Sequence, residues 1–102
     1  MYASIRMYKT DAPGLIIPIV RRDFLPIIKN VPGFINYYLI ASDRDGNEIT
    51  TVSIFESKES ALASDKLAAD WIKKNDMLKH LIMAPEISSG IVSVSSEVNV
   101  PH

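Results

Sequence analysis

The segment from Phe34 to Glu56 constrains the fold more than any other part of the chain. FINYYLIA, from Phe34 to Ala41, is aromatic and branched, and ITTVSIFE, from Ile49 to Glu56, has the same character. Such residues suit a pleated, half-buried surface. Between them lies Ser42-Asp43-Arg44-Asp45-Gly46-Asn47, in which Asp45-Gly46 supplies the positive φ angles of a hairpin loop. Two strands joined this tightly run antiparallel. Any fold for this chain is therefore built around a central hairpin.

The flanking segments complete a pattern. YASIRMYK alternates, with Ala3, Ile5 and Met7 on one apolar face and Ser4, Arg6 and Tyr8 on a mixed one, as in a half-buried strand. TDAPG (Thr10 to Gly14) reads as a turn. From Leu15 to Asn30, Ile16, Val20, Phe24 and Ile27/Ile28 fall on one helical stripe. Pro18 is expected in the first helical turn, where its missing N–H is harmless. Pro26 predicts a kink, or a short second helix starting near Leu25, because an interior proline removes a hydrogen bond and clashes with the preceding turn. Val31-Pro32-Gly33 stops the helix.

After the hairpin, Ser57 is the expected N-cap of a helix running to Lys74 through Ala61, Leu62, Ala68, Trp71 and Ile72. Asn75-Asp76 breaks it, and Met77 to Met83 predicts a further short helical turn. Glu86 to Glu97 alternates again as a last strand, where Gly90 suggests a bulge or a close backbone approach. This places one domain over residues 1–97 and a tail over 98–102.

Strand, helix, strand, strand, helix, strand is the ferredoxin-like βαββαβ order, an α+β fold with a four-stranded antiparallel sheet and helices on one face. The apolar face of the first strand is expected to meet the helices. The mixed face with Arg6 and Tyr8, and part of the aromatic strand, is expected on the uncovered side, which calls for a partner. A two-fold homodimer is the commonest solution, in which Arg6 is expected to make a salt bridge across it rather than an anion site. A chain of 102 residues fits one domain. Its formal net charge of −1 offers nothing to nucleic acid or an anionic membrane. The absence of cysteine excludes disulfides, thiolate metal sites and cysteine nucleophiles. No signal peptide is visible, the longest apolar stretch (Leu15 to Val20) is too short to span a membrane, and a cytoplasmic location is expected.

The run VPGFINYYLI, the Asp-Gly hairpin and TTVSIFESKESA resemble the antibiotic biosynthesis monooxygenase (ABM) domain family of the dimeric α+β barrel superfamily. Pro32-Gly33-Phe34 and the junction Phe55-Glu56-Ser57-Lys58-Glu59 carry the match. The resemblance implies a barrel formed by two sheets across a dimer, with a pocket between sheet and helices in each protomer. It also implies oxygenation of a small apolar or aromatic molecule without a cofactor, or haem degradation in a distinct branch. The haem-degrading branch carries an asparagine, a tryptophan and a histidine where this chain has Ile5, Ser64 and Lys74, so that activity is not expected. The alternative is a non-catalytic dimeric module that binds a small hydrophobic molecule.

Four residues are the candidates for chemistry. Trp71 offers a flat stacking surface and an N–H donor. Tyr38 can hold or polarise a phenolic substrate, Asn36 can donate to a developing oxyanion, and His80 can act as a base near neutral pH. For each, an ordinary packing or surface role stands beside the functional one. Asp43 and Asp45 are explained by turn chemistry, Glu56, Glu59 and Asp65 by solvated helix surface, and His102 by a terminal position. No metal-ligating set, phosphate loop or nucleophile elbow is present.

Overall fold

The computed structural model describes residues 1–42 and 46–96. The predicted Asp45 turn position, Asp43, His102 and the tail at 98–102 lie outside the described residues. The elements are β1 (Tyr2–Lys9), α1 (Pro13–Ile19), a π-helical turn (Val20–Phe24), α2 (Leu25–Ile28), β2 (Phe34–Ala41), β3 (Glu48–Phe55), α3 (Lys58–Lys74), a 3-10 turn (Leu78–His80) and β4 (Glu86–Ile91). The strands form one antiparallel sheet in the order β2-β3-β1-β4. That is the expected ferredoxin-like arrangement. The last strand ends at Ile91 rather than Glu97. Its pairing with β1 passes through Gly90 without a bulge, and a side chain there would meet nothing within 4 Å. The bulge lies instead in β2, between Phe34 and Asn36.

The first helical segment shows how the chain handles its prolines. It begins at Pro13, so Pro18 is interior rather than in the first turn. It is exposed there, on the side away from the core. Ile16, Val20, Phe24 and Ile28 are the buried positions, while Ile27 faces out. Four residues spaced by four drift on an ideal helix, by ~120° over three steps. The π turn inserts one extra residue, about 100° of rotation, and so brings all four back to one face. Its signature bond runs from the Leu25 N–H to the Val20 carbonyl. The wider turn also eases the clash that Pro26 would make with the carbonyl four residues earlier. A short second helix does start at Leu25.

Gly33 fastens the two segments that carry the sequence resemblance. It has φ +82°, a conformation glycine adopts without steric cost. Its carbonyl accepts from the Glu56 N–H at 2.9 Å, and an added Cβ would sit 3.3 Å from Ser60 Oγ. Next to it, Ser57 caps α3 by accepting from the Ser60 N–H at 3.2 Å. Gly33→Ala is expected to destabilise the protein by about 1–2 kcal/mol, from the positive φ alone and more if Ser60 cannot give way. Chemical denaturation would read this directly.

The two faces of β1 are reversed from the sequence expectation. In register, Tyr2, Ser4, Arg6 and Tyr8 lie beside Phe55, Ser53, Thr51 and Ile49, and this row faces the helices. Arg6 is only 1% exposed, whereas Ile5 is 40% exposed on the uncovered side. Arg6 Nη1 pairs with Asp65 Oδ1 of α3 at 2.7 Å, and its Nη2 donates to Ser53 Oγ at 3.0 Å. Ser4 Oγ donates to the same carboxylate. Asp65 is thus an internal counter-ion, its side chain 15% exposed, and not a solvated helix charge. The expected dimer salt bridge of Arg6 is replaced by this intrachain pair. With its charge matched by Asp65 and both terminal nitrogens hydrogen-bonded, a buried arginine becomes tolerable.

Candidate functional site

A cavity lies between the sheet and the helices. It is lined by Tyr8, Tyr37, Leu39, Ile49 and Thr51 of the sheet, by Ile16, Val20 and Phe24, by Ala68, Trp71 and Ile72 of α3, and by Met77 and Leu81. The space open to the centres of water-sized spheres is about 50 Å³, and the cavity is partly open to solvent. Widened by the ~1.4 Å radius of water, a region of this size holds roughly one or two fused rings. Its wall contains a run of aromatic rings. Phe24 meets Trp71 at 5.2 Å between centroids and Tyr37 at 6.1 Å, both tilted. The π turn therefore supplies two lining residues, Val20 and Phe24, by the rotation described above.

One end of this apolar space is polar. Thr51 lies between Arg6 on one side and Leu39 on the other, with Tyr8 and Tyr37 diagonal to it on the flanking strands. Burial pushes the Tyr37 phenol up to about 12 and that of Tyr8 in the same direction. In both, the Arg6 guanidinium and the Thr51 hydroxyl act the other way. Even so, Thr51 Oγ1 and Arg6 Nε are buried without a hydrogen bond to a described protein group. The polar groups gather at one end without fully satisfying one another.

The raised phenols have a measurable consequence. The native state holds the Tyr37 proton more tightly than the unfolded chain does, so this contribution to stability is complete below the ordinary value of 10.0. It is lost as pH rises towards about 12. Unfolding free energy is expected to fall across that window, and Tyr37→Phe should make the fall shallower. Urea titrations at a series of alkaline pH values would test it.

Of the four residues singled out from sequence, Trp71 alone lines the cavity. Asn36 and Tyr38 lie on the opposite, open face of β2, with Tyr38 52% exposed. It is Tyr37 that faces inward. His80 is half-buried on the 3-10 turn, outside the lining, and its backbone carbonyl accepts from the Asp11 N–H at 3.4 Å. Ile5, expected to meet the helices with the apolar face of the first strand, is on the open face. Tyr8, expected on the uncovered side, lines the cavity, and Thr51 was not singled out, because alternation separates two faces without saying which one the helices cover. No group of three or more metal-ligating side chains occurs among the described residues, nor is any described helix long and apolar enough to cross a membrane.

No protein-family model and no curated protein matches the sequence. Solved structures do match, and they show the fold. A monooxygenase from the Streptomyces coelicolor gene ActVA-Orf6, bound to nanaomycin D, is 16% identical with a TM-score of 0.71 over 99% of this chain and 92% of its own. SnoaB, a cofactor-independent oxygenase from Streptomyces nogalater, is 9% identical with a TM-score of 0.73 over 92% and 94%. MhuD with two manganese protoporphyrin IX molecules per active site gives 14% and 0.73 over 95% and 99%. The chain has the α+β ferredoxin-like fold of these proteins, shared also by solved structures named antibiotic biosynthesis monooxygenases.

Proposed function

We propose that the protein is a cofactor-independent oxygenase of the ABM type, acting as a homodimer on a small, mostly aromatic molecule held in the helix-side cavity. The observation that carries this reading is the cavity itself: an aromatic wall of Phe24, Tyr37 and Trp71 ending in a cluster of hydroxyl donors. ActVA-Orf6 monooxygenase and SnoaB, which share the fold, are an oxygenase precedent for it. In such chemistry the substrate supplies the electrons. An activated ring methylene loses a proton and gives an electron to oxygen. Its conversion to a carbonyl consumes one O₂, with one atom kept in the product and the other leaving as water with the two hydrogens. The protein's part is to exclude water, orient the ring and stabilise the oxygen on which charge develops.

The lining favours one further reading. Among the described residues its titratable side chains are two phenols, both shifted upward, with no carboxylate or imidazole to take a proton near neutral pH. A module that binds such a molecule without turning it over fits the same cavity. Oxygen-electrode recordings with reduced polycyclic phenols separate the two. Oxygen uptake above buffer, abolished or strongly reduced in Trp71→Ala, supports the oxygenase. Thermal stabilisation by the same compounds without uptake supports the binding module. Neither response would sink both.

A further inference from the structure

The polar end of the cavity is more specific than a wet patch in an apolar pocket. Thr51 is 4% exposed, lines the cavity, and has a hydroxyl that makes no hydrogen bond of ordinary geometry with a described protein group, although the Tyr8 and Tyr37 phenols lie close enough to feel it. A buried polar atom without a partner is uncommon in a folded protein and points to something that completes it. Tyr8 and Tyr37 flank it from the two neighbouring strands, and both present phenols that remain protonated donors over the physiological range. Behind them stands the Arg6 guanidinium, held by Asp65 and Ser53. A cation next to a phenol makes its O–H a better donor. Because Asp65 cancels the charge of Arg6, the cluster as a whole is neutral.

The geometry points to a subsite for one neutral acceptor oxygen, a ring ketone or equivalent carbonyl, received by Thr51, Tyr8 and Tyr37 while the rest of the ligand lies against Phe24 and Trp71. Three properties select that group. The hydroxyls can all donate together only to an acceptor. The apolar remainder of the cavity demands a ring system attached to it. A carboxylate would bring an uncompensated charge into a buried site whose arginine is already matched. Arg6 and Asp65 are then positioning residues, acting through the phenols. This inference rests on the cavity being a ligand site, as in the oxygenase and binding readings alike.

The test uses three probes built on one bicyclic ring: indane, 1-indanone and indane-1-carboxylate. Trp71 is the chain's single tryptophan, so its fluorescence reports occupancy of the cavity. Thr51→Val and Tyr37→Phe are each expected to weaken 1-indanone on the order of tenfold, while indane changes by no more than about twofold. Infrared spectra should show the carbonyl stretch of bound 1-indanone at lower frequency in the wild type, and the shift diminished in Thr51→Val. The carboxylate should bind worst. Equal changes for indane and 1-indanone, or an unshifted carbonyl band, would overturn the subsite while leaving the cavity reading intact. Tighter binding of the carboxylate would overturn the neutral selection. If none of the probes binds the wild type, the cavity is not a ligand site and both readings fall.

Discussion

Asp65→Ala is expected to cost about 3–5 kcal/mol of folding stability, the usual consequence of stranding a buried charge. Arg6 would remain 1% exposed with its guanidinium donors reduced to the single bond with Ser53. Domains of this size have roughly 5–15 kcal/mol in total, so the loss is a large share of the reserve and should lower the urea midpoint markedly. Urea denaturation measures the loss. The pair is not expected to be a net source of stability, however. Arg6→Met combined with Asp65→Leu should recover much of the loss, because a well-packed apolar pair avoids the desolvation that the ions incur. A wild-type-like midpoint for Asp65→Ala would mean that the carboxylate is not the counter-ion. If Arg6 also positions the phenols, the rescued double variant should still bind 1-indanone poorly, which separates folding from function.

The second large effect concerns the open face. Ile5, Val52 and Tyr38 form one row across β1, β3 and β2, with Ile40 beside them, and no described helix covers this side. A contiguous apolar patch of this kind suits association with another copy. In the proposed homodimer, Val52→Glu places a carboxylate at the centre of the interface and should weaken association at least about a hundredfold, given the cost of burying an unpaired charge. Sedimentation or light scattering at micromolar concentration would show a dimer for the wild type and a monomer for the variant. A monomeric wild type would end the dimer proposal. Tyr8→Glu is expected to act differently. Its carboxylate would enter the cavity, so it should lower stability and ligand affinity before it alters the oligomer.

That contrast between Val52 and Tyr8 marks where sequence reasoning succeeded and where it failed. The order of elements, the Ser57 cap, the helix from there to Lys74 and the new start at Leu25 all follow from local chemistry: periodicity, capping residues and prolines. Trp71 was legible as a pocket or core residue because it lies on the buried stripe of α3. The π turn was present in the sequence as the regular fours of Ile16, Val20, Phe24 and Ile28, a spacing that an ideal helix cannot keep on one face. It went unread because each of those positions is also acceptable in an ordinary amphipathic helix.

The site was less legible. A strand's alternation divides its residues into two sets, and the convention that the apolar set meets the core assigned Ile5 inward and Arg6 outward. The protein reverses this because it has apolar demands on both faces of its sheet and a carboxylate waiting on the far helix. Arg6 and Asp65 are 59 residues apart, and nothing local relates them. The same reversal moved Tyr8 into the cavity, selected Tyr37 over Tyr38, and left Asn36 on the open side.

The sequence by itself therefore determined the elements, their order and the hairpin at their centre, since these depend on interactions among residues a few positions apart. Only the tertiary structure decided which face of the sheet the helices cover. That choice depends on residues far apart in sequence packing together, Ile49 and Phe55 against the helices and Arg6 with Asp65, and with it came the lining of the cavity and the gathering of Thr51, Tyr8 and Tyr37 at one end.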